Sequence, residues 1–420
     1  MMCETDISLV PVQDTGKPHP VASLVVIAYN HLDYTRQCIE SIYKYTSHID
    51  FELITINNGS TDGTEEYFNS LPNQKKISFP ENMGVCKAIN QGFAMAEGKY
   101  TLNISNDIVV TTRWLDNLLL CMETDGRIGM AVPVCNATCN YQHIDVSYNT
   151  MEQMQEFAKS YNKSDPHKWE ERLKLSTYLG IYRTELQKKL HGFDEIFNPG
   201  CYDDDAMCFN IRRMGYKVVL ARDTFVHHFG AKTFNLEYVK DATLAIRNKR
   251  LFFCKFGVDP YVAGLMDSNV LDLFSYDGTG SKNILAIGSS YGGTALQVKN
   301  LCRYYGGDDI RLYYVSEQLS NMTELKTICD GCAFCPISEL ENHLGKRTYD
   351  YILLESATHT LKDWQDAVTS LYALLNPGGQ FLCTAANGEI FRALTVLLLD
   401  AGADLKKHSK GYYLLFVKPE

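Results

Sequence analysis

The chain has no surplus of positive charge. Across 420 residues, 40 Lys+Arg stand against 50 Asp+Glu, a formal charge of −10. Nothing there would neutralise a phosphate backbone, so nucleic-acid binding is not expected. Long apolar runs are also missing. Leu397-Leu398-Leu399 with its flanks falls far short of the roughly 18 residues of a membrane span, and no span is expected. The N-terminal MMCETDISLV carries two acids and no basic stretch, so it does not read as a signal peptide. Fourteen cysteines are too dilute for a disulfide scaffold; reduced thiols and a cytoplasmic location are expected. Internal repeats, low-complexity segments, a P-loop pattern and a Ser/His/Asp arrangement are all absent. What is there is an ordinary globular composition, 45% hydrophobic and 21% charged, long enough for two domains.

Residues 1–20 are polar and aperiodic, with Pro11, Pro18 and Pro20, and read as a tail. From Ala22 the pattern alternates strand and helix. Ser23–Ala28, Phe51–Ile56 and Tyr100–Ile104 are short apolar, β-branched runs, and helical stretches with one apolar face lie between them. This predicts a largely parallel, three-layer α/β domain over 21–267. Residues 136–176 turn polar and aromatic and read as an excursion above the sheet, a lid or an acceptor surface. Asp277-Gly278-Thr279-Gly280-Ser281 is the clearest composition break, and a linker is expected over 268–281. A second strand–helix series fills 282–420.

The signals between Val25 and Phe234 stand in a telling order: Val26-Ile27-Ala28-Tyr29-Asn30, Asn57-Asn58-Gly59-Ser60-Thr61-Asp62-Gly63-Thr64, Asn82-Met83-Gly84 with Asn90-Gln91-Gly92, Ser105-Asn106-Asp107, Gly192-Phe193-Asp194-Glu195, Tyr202-Asp203-Asp204-Asp205, and His227-His228. Together they resemble the family 2 glycosyltransferases, inverting enzymes with the GT-A fold, a Rossmann-like nucleotide-diphospho-sugar transferase architecture. The resemblance implies a nucleotide-diphosphate sugar donor, a UDP- or dTDP-sugar, held at strand ends where ligands of open α/β sheets sit. It places donor contacts at Ala28, Tyr29, Asn30, Asn57, Gly59, Asp62, Lys87 and Asn106. At Asn57 the family usually has Asp; the amide changes the donor–acceptor pattern and leaves the base open. The family's Asp-x-Asp reads Ser105-Asn106-Asp107 here, so Asp107 is the surviving carboxylate for Mn²⁺ or Mg²⁺, with His227, ahead of His228, as the imidazole partner. The general base aligns with Asp204, beside Asp203, and Asp205 is a rival one residue away. Three consecutive carboxylates repel, which suits a base working near neutrality; they also favour a helix N-terminus. Gly192, Phe193, Asp194 and Glu195 resemble the acceptor-side loop. Trp114, at a family Trp position, is expected to pack rather than to recognise.

In the second half, Ile284–Gly293 and Leu375-Asn376-Pro377-Gly378-Gly379 resemble motifs of class I S-adenosylmethionine-dependent methyltransferases. The resemblance implies a ligand turn at Gly288 and Gly292 and a ribose-holding acid at Glu317. The first motif has Ala286 in place of its acid, and Ser290-Tyr291 breaks its glycine pattern. These departures favour a methyltransferase-like domain for binding or dimerisation over use of S-adenosylmethionine. Cys329-x2-Cys332-x2-Cys335 is the one tight cysteine cluster, and no fourth metal ligand stands near it. The leading expectation is an inverting glycosyltransferase acting on a hydroxyl of a glycan, a lipid-linked saccharide or a protein. The alternatives are a bifunctional glycosyltransferase–methyltransferase and a non-catalytic nucleotide-sugar-binding scaffold; a homodimer is compatible with each.

Overall fold

The apolar run after Val21 becomes a strand buried on both faces, which is what a continuous Val/Leu/Ile segment in a parallel sheet requires. The computed structural model describes residues 20–230, 242–276, 279–355, 364–385, 387–409 and 413–419. The expected tail therefore lies almost wholly outside the described residues. Two compact units divide between Phe256 and Gly257.

In the first unit the strands are β1 (Ala22–Ala28), β2 (Phe51–Asn58), β3 (Gln74–Phe79), β4 (Tyr100–Ser105), β5 (Ile108–Val109), β6 (Ile128–Cys135), β7 (Trp169–Glu171), β8 (Leu179–Arg183) and β9 (Lys217–His228). Their order is β3-β2-β1-β4-β8-β6-β9-β5, with β7 paired to β9. The first four strands are parallel, and β8 then runs antiparallel to both β4 and β6. The sheet is thus mixed rather than largely parallel. Helices α1 (Leu32–Thr46), α2 (Thr64–Ser70), α3 (Val85–Ala94), α4 (Trp114–Thr124), α5 (Met151–Tyr161), α6 (Thr184–Lys189), α7 (Asp203–Arg213) and α8 (Ala242–Phe256) complete the unit. The polar excursion supplies α5 and β7, and both pack on β9. Trp114 is fully buried, and its indole Nε1–H donates to the Thr46 hydroxyl at 3.0 Å, a packing role.

Strand β9 is the longest of the first unit's described strands. Register shifts opposite Pro133 and Val134 let it continue to His228. That extension carries the two histidines alongside β5, where His228 pairs with Ile108 and His227 with Val109.

The second unit holds β10 (Lys282–Gly288), β11 (Ile310–Ser316), β12 (Gly331–Ala333), β13 (Tyr349–Leu354), β14 (Leu375–Thr384), β15 (Asp404–Ser409) and β16 (Tyr413–Val417), in the order β12-β11-β10-β13-β14-β16-β15. Strands β10 to β14 are mutually parallel; β16 is antiparallel to both neighbours. The strand order reverses between β10 and β13, which makes their carboxyl ends the switch point of a doubly wound sheet. The stretch expected as a linker contains a helix, Ser268–Leu273. Asp267 caps it, Val270 and Leu273 are buried, and the Tyr413 hydroxyl donates to Asp267 at 2.7 Å.

Candidate active site

The strands of the first unit end around a cavity of about 730 Å³. Its wall includes Tyr29 after β1, Asn58 at the end of β2, Ser105-Asn106-Asp107 after β4, Thr177-Tyr178 before β8, Gly200–Asp204 at the start of α7, and His228 at the end of β9. Of the candidate site residues singled out in the sequence, Tyr29, Asn106, Asp107, Phe193, Asp203, Asp204 and His228 line it.

The other donor-side residues build the wall from behind. Asn57 is buried, and both ends of its amide are used: Oδ1 accepts from Ser60 N–H at 2.9 Å, and Nδ2 donates to Glu65 at 2.8 Å. Asn30 N–H donates to the Ser60 hydroxyl, and Asn30 Oδ1 accepts from Thr61 N–H. Asp62 accepts from Leu32 N–H and from Thr64, which joins the two loops. Gly59 has φ +84°, and a Cβ there would lie 2.4 Å from the Glu81 carbonyl carbon, so this loop can touch residues 81–82 only through glycine. Ala28 is a buried strand residue and Lys87 is exposed on α3; neither reaches the wall. The expected acceptor-side loop also has a framework role. Asn90 clamps the Phe193 backbone from both sides, at 2.8 Å each, and Glu195 takes a further contact from Asn90. Gly192 leaves room for that amide. Asp194 caps Ile196 and pairs with Lys255.

The two histidines part company because side chains alternate along a strand. His227 turns toward α5, where its Nδ1 meets the Tyr148 hydroxyl at 2.6 Å and its ring packs edge-on to Phe229. Burial, reinforced by the charge of His228, pulls its pKa down to about 4. His228 turns into the cavity. Its Nε2 lies 3.3 Å from Asp107 Oδ2, and both side chains are only 8% exposed. Its Nδ1–H donates to the Ala137 carbonyl at 2.6 Å, Tyr178 stacks on the ring, and Asn136 clamps its backbone. Burial opposes protonation of His228, but hydrogen bonding to Asp107 outweighs it and lifts the pKa to about 10. The imidazole partner of Asp107 is therefore His228, in place of the expected His227.

Residues 23–174 match the sequence model described as glycosyl transferase family 2. Over this stretch the chain is similar to the family 2 glycosyltransferases. Among curated proteins the chain is similar to an uncharacterized glycosyltransferase of Haemophilus influenzae, 30% identical over 113 residues, covering 26% of this chain and 35% of the relative. It is also similar to the glycosyltransferase GlyG of Streptococcus pneumoniae, 32% identical over 100 residues, covering 23% and 33%. The chain thus spans about a third of the length of these relatives. Among solved structures it resembles the mannosyltransferase PcManGT of Pyrobaculum calidifontis in complex with GDP-Man and Mn²⁺. There the TM-score is 0.41 at 16% identity, over 56% of this chain and 65% of that one.

In the first unit the three consecutive aspartates separate by environment. Asp205 is buried and paired with Lys174 at 3.2 Å, outside the cavity wall. Asp203 is buried at the wall beside Cys86; burial first, then the Asp204 charge, push its pKa up. Asp204 is the least buried of the three and accepts a hydrogen bond from the Thr177 hydroxyl. Burial pushes its pKa above the ordinary range, and the hydrogen bonds from Thr177 pull it back. The loop that presents them is unusual: Gly200, Cys201 and Tyr202 all have positive φ. Asn248 on α8 holds it from beneath, its fully buried Nδ2 reaching the carbonyls of Phe197, Gly200 and Cys201 at 2.8, 2.7 and 3.2 Å. Neither Thr177 nor Asn248 sits in a motif, and both escape sequence reading.

In the second unit, Glu317 follows β11 as expected, its N–H bonded to the Gly288 carbonyl. Ser290 within the glycine turn bonds to Glu355 after β13 and lies 3.0 Å from the Tyr314 hydroxyl, which also donates to Glu355. Cys329, Cys332 and Cys335 are partly exposed thiols. Among the described residues no group of three or more His, Cys, Asp or Glu side chains is arranged to hold a metal, and no helix is long and apolar enough to cross a membrane.

Proposed function

We propose that the chain is an inverting glycosyltransferase that moves a sugar from a UDP- or dTDP-sugar to a hydroxyl of a glycan, lipid-linked saccharide or protein. The observation that carries this reading is that Asp204 and the Asp107–His228 pair line one cavity at the strand ends. Asp204 takes the proton of the acceptor hydroxyl. The freed oxygen bonds to the anomeric carbon as the bond to the diphosphate oxygen breaks on the opposite face, so configuration inverts and no covalent enzyme intermediate forms. Asp203 stays the more deeply buried neighbour, and burial beside Asp204 pushes its carboxyl up to about 8, which keeps it largely protonated near neutrality.

The donor set at Asp107 fits a divalent cation. A carboxylate oxygen and an imidazole Nε2 face one another, and because Nδ1–H is held by Ala137, Nε2 is the nitrogen that a cation would take by displacing the proton shared with Asp107. Mn²⁺ or Mg²⁺, when bound, would offset the charge of the leaving diphosphate. Asp107 and His228 would hold it with donor oxygens completing the sphere, since the described residues provide no third ligand. Asn106 steadies the approach by donating to the Asn30 carbonyl and the Thr35 hydroxyl.

For the second unit we infer a methyltransferase-like fold used for binding or dimerisation. The reversal of strand order between β10 and β13 supports the fold. The departures at Ala286 and Ser290-Tyr291 argue against use of S-adenosylmethionine, and Ser290 and Tyr314 both donate to the same oxygen of Glu355.

A thermal-shift screen of nucleotide sugars with and without Mn²⁺ tests the reading. A ligand at a hundred times its Kd stabilises by about 2.7 kcal/mol. One nucleotide sugar should raise the melting temperature by several degrees, and only with the cation. No shift with any nucleotide sugar would overturn the proposal.

A further inference from the structure

Around Asp204 stand polar side chains that packing alone does not need, of which Asn103 and Thr177 line the cavity with it. Tyr182 on β8 is 1% exposed and sits among Phe93 and Phe193. Its hydroxyl donates to Asn103 Oδ1 on β4 at 2.9 Å. The Asn103 amide donates to the Thr177 carbonyl, and the Thr177 hydroxyl donates to Asp204 Oδ1. The sequence makes room for this. Gly180 pairs with Asn103 across the sheet, and a Cβ on it would lie 2.8 Å from the Tyr182 hydroxyl and 3.1 Å from Asn103 Oδ1. A Phe and a Leu would fill the same space without two polar groups to satisfy, and burying such groups is costly unless each finds a partner. Here each finds one, and the series ends on the carboxylate at the cavity.

We propose that Tyr182, Asn103 and Thr177 form a relay that positions the base, with Thr177 fixing Asp204 Oδ1 so that its other oxygen meets the acceptor hydroxyl. The proposal rests on Asp204 being the base. Thr177 is a positioning residue in the same sense that a third group orients the base of a hydrolase. The hydroxyl bond also favours the charged carboxylate, and Thr177 N–H adds to it. Other titratable groups facing Asp204 are Asp203, Asp205 and Cys208 on its own helix, Cys86 on α3, Cys201 in the preceding loop, Lys174, and Tyr182 itself. Tyr182 also bonds to the Thr177 side chain, so Thr177→Val removes that contact together with the one to Asp204.

The test uses the full chain, Mn²⁺, and whichever UDP- or dTDP-sugar gives the largest thermal shift in the screen above, followed as donor hydrolysis over pH. Thr177→Val should lower kcat about 10- to 100-fold, leave the donor KM within about twofold, and move the acid limb of kcat to higher pH. Thr177→Ser should restore kcat to within about threefold. Tyr182→Phe, which removes one oxygen atom, should shift the limb in the same direction by less, and it decides the matter if Thr177→Val does not fold. An unchanged kcat and acid limb in Thr177→Val, or in Tyr182→Phe where that decides, overturns the relay even when Asp204→Asn is inactive. An active Asp204→Asn overturns the base assignment instead, whatever Thr177 does.

Discussion

Replacing Asp204 by Asn should separate activity from stability in opposite directions. The substitution keeps the shape and the oxygen that accepts from Thr177, and removes a proton acceptor and a charge. Loss of a general base costs about 10²- to 10⁴-fold in kcat, or about 3–5 kcal/mol of transition-state stabilisation. Stability should move the other way. The Asp204 carboxyl has its pKa raised in the folded chain above the ordinary 3.8, through burial and the charge of Asp205 against the pull of Thr177 and Lys174. A raised carboxylate pKa means that the charged form is disfavoured by folding. Its cost is absent below about pH 4, grows between the unfolded and the folded value, and is complete above the folded one. An amide never ionises, so the variant is spared that cost at pH 8 and gains nothing at pH 4. Each unit of rise is worth about 1.4 kcal/mol, and relief of the neighbouring carboxylates adds to it. A gain of about 1–3 kcal/mol is expected, which is a few degrees in melting temperature for a unit of this size.

The assay pairs single-turnover transfer with thermal melting of both proteins at pH 4 and pH 8. The reasoning predicts an inactive variant that melts higher than the wild type at pH 8 and together with it at pH 4. Transfer within threefold of wild type would remove Asp204 from the reaction. An inactive variant that melts lower at pH 8 would leave the base in place and refute the electrostatic account of the aspartate run.

Two further outcomes follow from the geometry. His228→Ala and Asp107→Asn should each weaken Mn²⁺-dependent nucleotide binding at least tenfold by calorimetry, whereas His227→Gln should leave it within about twofold; equal losses at both histidines would contradict the assignment of one ring to each face of β9. Asn248→Ala takes the side-chain donor from the Gly200 and Cys201 carbonyls, while Phe197 keeps the Gly200 N–H, and should cost about 1–3 kcal/mol by denaturant unfolding, with a fall in kcat that exceeds any change in donor KM.

Much of the fold was legible because buried parallel strands write themselves as apolar runs. Segments such as Ser23–Ala28 and Asn283–Gly288 read as strands on local evidence alone. The antiparallel turn of β8 between β4 and β6 was not legible, since Leu179–Arg183 is short and nothing local says which neighbour it will pair with. The site divides in the same way. Groups at strand ends, Tyr29, Asn106 and Asp107, could be placed from the chain order. Asn57 could be found but its job could not, because its partner Glu65 lies on the following helix and only folding brings the carboxylate to the amide. Thr177 and Asn248 had no signal, being ordinary residues whose importance comes from what they touch.

The choice between the two histidines is different, since the information was present. Phe225, His227 and Phe229 are spaced by two, so in an extended segment they share a face, and two of the three are large aromatics that need a core. Their neighbours α5 and Tyr148 supply that core: Phe157 packs edge-on to Phe225, and Tyr148 contacts both Phe225 and His227. A histidine inside an aromatic stripe is thereby committed to packing, and the opposite parity is left for chemistry. Family alignment fixes a residue to within one position along a strand, but a shift of one reverses the face. Parity against the apolar neighbours is therefore the better guide wherever a metal-binding side chain sits at the end of a strand, and here it selects His228.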